Sequence, residues 1–344
     1  MITLRDVSRK SGYSVTTVSR ALNGFDDVTE ATRKHIEAVA RELNYRPNQV
    51  ARKLVSGRSG MVGLVLAAPP APFEYGHFFH IIAGCSREFS ARDMDFVLHI
   101  GTGEEDVLRT YARLINRGTL DGFLVTAPDR RDPRIALLLE RDVPFVVHGR
   151  DPDQGGYAFF DADNYGISRT AVELLADLGH RRIALLNGPE PRAYASERLR
   201  GFRDAVAGRD LASEPRLARH GDTSTAYGRT ATADLLALNP SPTGLVCCNS
   251  LVAAGALEAV RAAGLRVPED LSIVAHDDVL PQAETARFDP PLTVSRLPLE
   301  DSAGLLVTLL LRRLAGAEIE ELQITVGAET IPRASTAPPP AAVS

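Results

Sequence analysis

The segment SVTTVSRALN, residues 14–23, sets four small hydroxyls, two valines and one arginine within three helical turns. An arginine presents a fork of donors that matches O6 and N7 of a guanine, so Arg20 is a candidate base reader. Val15 and Thr16 carry methyl groups suited to a thymine methyl or a base edge. Ser14, Thr17, Ser19 and Asn23 carry short polar groups that bond phosphate oxygens and fix register. The same residues also describe an ordinary solvated helix face, and simple patterns of this kind are common.

The flanking sequence supplies elements that would hold such a face. Thr3 followed by Asp6 is a capping-box-like start for a short helix over Leu4–Lys10, with aspartate in place of the usual glutamate, and Thr3 joins the candidate contacts. Gly12 breaks that helix. Ser14 can cap a second helix, Val15–Leu22, which Asn23-Gly24 ends. In it Val18, Ala21 and Leu22 face one way and Val15, Thr16 and Arg20 the other. Thr29 can cap a third helix to about Leu43, whose Ile36, Val39, Ala40 and Leu43 fall at the spacing of one apolar face. Helix, tight turn, helix and supporting helix is the helix-turn-helix layout.

Charge is distributed to match. The chain of 344 residues carries a net −5, yet residues 1–60 hold eleven basic and six acidic side chains. That is +5 for the head and −10 for the rest, which points to a polyanion partner for the head alone, or to a chance fluctuation of surface charge. Hydrophobic residues at 44% allow a large core, and the length suits two or three compact units. No apolar run reaches the length of a membrane span, and MITLRDVSRKSGYS lacks the apolar stretch of a signal peptide. Three cysteines, two of them adjacent, give no disulfide framework, so a reducing, cytoplasmic location is expected.

The stretch TLRDVSRKSGYSVTTVSRALNG, continued by VTEATRKHIEAVARELNYRPNQVARKL, resembles the LacI/GalR family of repressors. The match runs without a gap over about the first 60 residues and is highly specific. Ser8 and Ser11 replace the family's usual alanines and Tyr13 its valine. The resemblance implies an α/β protein: an N-terminal all-α helix-turn-helix headpiece over 1–46, a hinge and linker over 47–60, and a bilobed periplasmic-binding-protein-like effector domain over 61–335. It implies double-stranded operator DNA as partner, a homodimer as the working form, and no cofactor. Pro47 suits the first position of a hinge helix over Asn48–Val55, too short to be stable alone. In register with the family, Asn48, Ala51 and Arg52 belong to the DNA-binding set. Leu54 corresponds to the leucine that wedges into the minor groove; packing inside an ordinary helix is the alternative.

Beyond Gly60, the runs MVGLVL, DFVLHIG, DGFLVTA, PFVVHG, RIALLNG, GLVCCNS and SIVAHDD alternate with helical stretches. Strand-helix alternation predicts parallel sheets covered on both faces, here two doubly wound lobes. With the family's crossings near 158–162, 288–291 and 321–325, one lobe takes about 61–160 and 290–322 and the other about 161–288 and 323–335. Residues 336–344 read as a disordered tail.

Ligands of such sheets bind outside the carboxyl ends of the strands. His148 and Arg150 follow PFVV, Asn249 ends GLVCCN and Asp277 ends SIVAHD. By resemblance, Arg198, Asn249 and Asp277 match effector-contacting positions, where charge-assisted bonds hold hydroxyls or a carboxylate. Asp277 and Asp278 also suit a turn cap, and His148 a structural role. Phe73, Tyr75, Phe78 and Phe79 offer an apolar wall for a sugar, or pack under a helix. Ser250 and Thr223 depart from the family, and the APP insert and HGR have the look of a sugar-utilisation branch.

The competing class is an enzyme or a solute-binding protein on the same body. No GxGxxG, Walker A, GxSxG or HExxH pattern is present. His77 and His80 have metal-pair spacing without a third ligand nearby, so no metal is expected. Cys247-Cys248 reads as core packing.

Overall fold

The computed structural model describes residues 2–22, 25, 27–45, 58–66, 75–101, 104–277, 279, 283–297 and 302–340, with backbone alone at 75–80 and 104–106. Two compact units divide at Gly60. Among the described residues the first has three helices: α1 (Leu4–Ser11), α2 (Val15–Leu22) and α3 (Glu30–Glu42). Their core is small: Val7, Val18, Ala21, Val28, Ile36, Val39 and Ala40, with Leu4, Leu22, Leu43 and Tyr45 packed against it. The caps are those expected from the sequence. Asp6 accepts the Thr3 N–H at 2.9 Å, and Thr29 accepts the Thr32 N–H at 3.4 Å. Ser14 accepts the Thr17 N–H at 3.1 Å. The Thr3 hydroxyl and N–H hold the Asp6 carboxyl below its ordinary value. The serines that depart from the family pattern bond locally, Ser8 to the Tyr13 carbonyl at 2.6 Å and Ser11 to the Ser8 carbonyl at 3.4 Å.

The second unit is built on two six-stranded sheets. The first lobe contains β1 (Met61–Leu66), α4 (Tyr75–Ser90), β2 (Asp95–Ile100), α5 (Glu104–Arg117), β3 (Gly122–Thr126), α6 (Pro133–Glu140), β4 (Phe145–His148) and β5 (Ala158–Ala162). The second contains α7 (Asn164–Asp177), β6 (Ile183–Asn187), α8 (Ala193–Gly208), β7 (Ala218–His220), α9 (Thr225–Leu236), β8 (Gly244–Cys247), α10 (Ser250–Ala262), β9 (Ser272–Asp277) and β10 (Thr293–Arg296). Then α11 (Ser302–Leu314) and β11 (Gln323–Val326) return to the first lobe, and β12 (Glu329–Ile331) closes the second.

Strand order is β11-β5-β4-β3-β1-β2 in one sheet and β12-β10-β9-β8-β6-β7 in the other. Every pairing is parallel except β10 with β12. Because side chains alternate along a strand, each sheet feeds two cores. Leu124 of β3 packs with α4 and α11, whereas Phe123 and Val125 pack with α5 and α6. In the second lobe, Leu185 of β6 meets α7 and α8, and Leu186 meets α9 and α10. Both buried cysteines at 247 and 248 belong to that latter core. The helix pairs approach closely where glycine leaves room. A β-carbon at Gly201 would lie 2.2 Å from the Tyr165 carbonyl, and one at Gly255 2.0 Å from that of Thr225.

The lobe boundaries fall later than the sequence placed them. β5 runs to Ala162 within the first sheet. The second crossing lies between Arg296 and Ser302, rather than at 288–291, because β10 pairs with β9 before the chain leaves. The third lies between Val326 and Glu329, rather than at 321–325, because β11 first pairs with β5. The tail also differs from the expectation of disorder over 336–344. Residues up to 340 are described, and they are tied down; 341–344 lie outside the described residues. Ser335 is fully buried; its hydroxyl donates to the Ile273 carbonyl at 2.6 Å and accepts the Thr293 N–H at 2.7 Å. The Ala337 carbonyl accepts from His180 Nε2 at 2.9 Å. A carbonyl only accepts, so Nε2 carries the hydrogen and Nδ1 accepts from the Thr243 hydroxyl at 2.9 Å. Burial lowers the pKa of His180, in keeping with that neutral ring.

Ser335→Ala strands two buried backbone groups at once. It is expected to cost about 1–3 kcal/mol in the urea unfolding of the body, while Ser90→Ala, on an exposed position of α4, changes it little.

Candidate functional site

On α2, the 3.6-residue period sends Val18 and Ala21 into the core and leaves Val15, Thr16 and Arg20 exposed. Ser14 and Thr17 bond each other through their hydroxyls at 2.8 Å beside that face, and Ser19 is half-buried. Thr3 is exposed, its hydroxyl on Asp6 at 2.7 Å. The core of the three described helices thus leaves one arginine and a row of small polar and methyl-bearing groups on the outward face of a single helix. Of the remaining DNA-contact candidates, Asn23, Asn48, Ala51, Arg52 and Leu54 lie outside the described residues.

In the body, each sheet repeats the order 2-1-3-4-5, with its switch point at β1/β3 in one lobe and β6/β8 in the other. Ligand crevices of doubly wound sheets open at such switch points. The loops beyond β3 and β6 meet across the lobes. Arg130 N–H donates to the Pro191 carbonyl and Ala193 N–H to the Pro128 carbonyl, each at 3.0 Å. The Arg192 guanidinium adds bonds to Asp129 at 3.0 Å and to the Ala127 carbonyl at 3.1 Å. This clasp fixes one edge of the space between the lobes.

A chain of polar groups is drawn from β5, α7 and α8 and from the segments just after β4 and β8. Arg150, after β4, places Nε 3.6 Å from Asp161 Oδ2 and its guanidinium 5.6 Å from the Phe159 ring centre. Asp161, on β5, accepts from Asn164 Nδ2 at 3.3 Å. Asn164 opens α7 and accepts from Arg198 Nε of α8 at 2.9 Å. Arg198 is buried and also donates to the Cys248 carbonyl at the end of β8. Burial pushes the Asp161 carboxyl up to about 7, against the pull of Arg150 and Arg198. Arg150 Nε has no hydrogen-bond partner among the described residues.

The other candidates sit at strand ends with bonds of their own. His148 stacks on Phe160 with ring centres 6.1 Å apart. Asn249 caps α10, accepting the Val252 N–H at 2.8 Å and donating to the Thr223 carbonyl at 3.3 Å. Asp277 accepts the Val279 N–H at 2.9 Å and the Thr285 hydroxyl at 2.6 Å. That is the turn cap the sequence left open as an alternative. Arg150, Arg198 and Asn249 are thus joined through Asp161, Asn164 and Cys248, while among the described residues no bond links Asp277 to that chain. Phe73 lies outside the described residues, as do the side chains of Tyr75, His77, Phe78, Phe79 and His80. Sequence reasoning missed Asp161 and Asn164. Their signal is FFDADN, where two carboxylates and an amide follow an apolar pair at the first crossing.

The raised Asp161 carboxyl has a consequence for stability. The folded chain keeps a proton up to about pH 7 that the unfolded chain releases near pH 4. The folded state therefore binds more protons in that window, and the stability of the body falls as pH rises through it, then levels off. Asp161→Asn, which has no such proton, should flatten the fall in urea midpoint measured between pH 5 and pH 8.

Comparison with known proteins bears on both units. Residues 3–48 match the model described as bacterial regulatory proteins, lacI family, and residues 172–336 match a periplasmic binding protein-like domain. The HTH-type transcriptional regulator AglR of Rhizobium meliloti is 36% identical over 98% of this chain and 95% of its own. A solved complex of the transcriptional regulator CelR with cellobiose aligns over 97% of this chain and 100% of its own, at 30% identity and a TM-score of 0.71. The lac repressor dimer bound to operator and the anti-inducer ONPF aligns over 98% of this chain and 99% of its own, at 26% identity and a TM-score of 0.80. These relatives are regulators and not enzymes, which sets the enzyme alternative aside. The chain belongs to the LacI family, as a DNA-binding transcriptional regulator with a helix-turn-helix head and a periplasmic-binding-protein-like body.

Proposed function

We propose that this regulator binds a palindromic operator as a homodimer, acts as a repressor, and is controlled by a sugar-like effector held between the lobes of its body. The exposed Val15–Thr16–Arg20 face of α2 carries the reading. A recognition helix enters the major groove and reads bases from such residues, and one head spans only half a site, so two must act together. β2 supports the pairing: it is an edge strand that exposes Leu98 and Ile100, at 36% and 51%. An uncovered apolar edge of this kind invites a second copy. The lac repressor neighbour is a dimer on operator. A DNA partner places the protein in the cytoplasm.

The effector reading rests on the polar chain that joins β5, α7 and α8. Arg150, Asp161, Asn164 and Arg198 alternate donors and acceptors, the pattern that holds sugar hydroxyls. Asn249 and Asp277 extend the set from neighbouring strand ends, since each Asp277 oxygen keeps a second lone pair. Phe73 and Phe79 would supply the apolar wall, and His148, at the end of β4, a polar contact. The CelR neighbour holds cellobiose, which fits a carbohydrate here.

Arg198→Ala or Asp277→Ala should leave operator affinity without effector within about tenfold and abolish or weaken the response to effector, because a charged ligand partner is lost. Normal responses in both variants would remove the pocket assignment. At the hinge, Leu54 and its symmetry mate enter the minor groove at a central pyrimidine–purine step, where unstacking is easiest. Leu54→Ala should weaken operator binding by about 1–3 kcal/mol or more and reduce bending. Random-DNA affinity and its salt dependence should hold, because phosphate contacts carry them. Operator and random-duplex titrations with a bending assay decide it; an unchanged bend and operator affinity would contradict the wedge.

A further inference from the structure

The base-reading candidate of α2 does not stand alone. Arg20 Nε donates to Asp27 Oδ1 at 3.0 Å, and Arg20 Nη2 lies 2.6 Å from Asp27 Oδ2. This is a two-pronged pairing of guanidinium with carboxylate, and it fixes the plane of the guanidinium as well as its position. The Phe25 ring adds a second restraint, its centre 5.2 Å from the guanidinium carbon.

Phe25 and the residues that follow Asp27 are themselves held. The Phe25 N–H donates to the Arg20 carbonyl at 3.1 Å. The Phe25 carbonyl accepts from Arg33 Nη2 of α3 at 2.9 Å. Val28 is buried in the head core, and Thr29 caps α3 immediately after it. Asp27 is therefore flanked by fixed residues, Phe25 on one side and Val28 and Thr29 on the other.

The pair is half-exposed, with Arg20 at 46% and Asp27 at 52% of side-chain accessibility. Exposed ion pairs contribute little to folding stability. A carboxylate beside a DNA-reading face also opposes phosphate, so it weakens unspecific binding. What the pair does supply is orientation. Arginine is long and flexible, and holding its fork in one geometry before contact reduces what is lost on binding. The carboxylate takes Nε and one hydrogen of Nη2. Among the described residues nothing bonds Nη1. The Nη1/Nη2 edge is the one left for the O6 and N7 of a guanine.

We propose that Asp27 is a specificity-determining positioning residue, which holds Arg20 in the orientation that selects guanine over the other bases. The proposal rests on the reading that α2 enters the major groove with Arg20 against a base edge.

The test uses the full chain and a library of double-stranded DNA with randomised half-sites, selected in parallel by the parent, Asp27→Asn, Arg20→Ala and the double variant. Thermal unfolding of each checks that the head is folded. Asp27→Asn keeps the shape and removes the charge. It should lower the guanine preference at one half-site position by about five- to tenfold, leave other positions unchanged, and hold or raise affinity for random duplex. Arg20→Ala should erase the preference at that same position, and adding Asp27→Asn to it should change the profile no further. An Asp27→Asn profile like the parent's, with operator and random affinities rising by equal factors, would overturn the proposal and leave Asp27 as a simple repelling charge. A profile still altered by Asp27→Asn in the Arg20→Ala background would overturn it too, since Asp27 would then act on its own. If Arg20→Ala itself changes no position, the underlying reading of α2 fails, and the proposal with it.

Discussion

Parallel strands share one direction, and that constraint arranges the whole body. Apart from the antiparallel β12, each sheet delivers the carboxyl ends of its strands to a single edge, and the helices occupy both faces. Polar groups excluded from four apolar cores therefore collect at strand ends. Arg150, Asp161, Asn249 and Asp277 all follow or end a strand, and Arg192 lies in the loop beyond one. The clasp between the loops after β3 and β6 then brings the two edges together. Two main-chain hydrogen bonds and two from the Arg192 guanidinium carry it.

The same logic runs at smaller scale in the head. Among the described residues seven buried apolar side chains hold three helices, and their positions leave one face of α2 outward. With so little core, caps and short-range bonds do much of the fixing. Asp6 on Thr3, Thr29 on Thr32 and Arg33 on the Phe25 carbonyl each settle a loop that the core is too small to settle.

How far the sequence reached depended on how local each feature is. The head was legible because its signals are local: the apolar spacing of Val18 and Ala21, the caps at Thr3, Ser14 and Thr29, and a dense family pattern. The seven apolar runs became strands for the same reason. β5, β7, β10, β11 and β12 went unread, being three to five residues long, with Thr293 and Ser295 as buried positions of β10. Their pairing partners are set by topology, which also shifted the lobe crossings. The Pro-rich tail has the composition of disorder, yet Ser335 and Ala337 find partners on β9 and at His180, far away in sequence. Asp161 has Asn164 in its own local run, but Arg150 and Arg198 come from other segments, so no local window contains the whole site.

A regulator requires that ligand and DNA act on each other through one chain. Binding linkage makes that coupling reciprocal: if a ligand changes DNA affinity by some factor, DNA changes ligand affinity by the same factor. The decisive measurement takes a sugar that stabilises the body in a thermal-shift screen and a duplex selected by the full chain. Operator affinity is then titrated with and without the sugar, and sugar affinity with and without the operator. A change of about tenfold or more is expected, equal in both directions. A sugar that binds the body tightly and leaves operator affinity unchanged would contradict it.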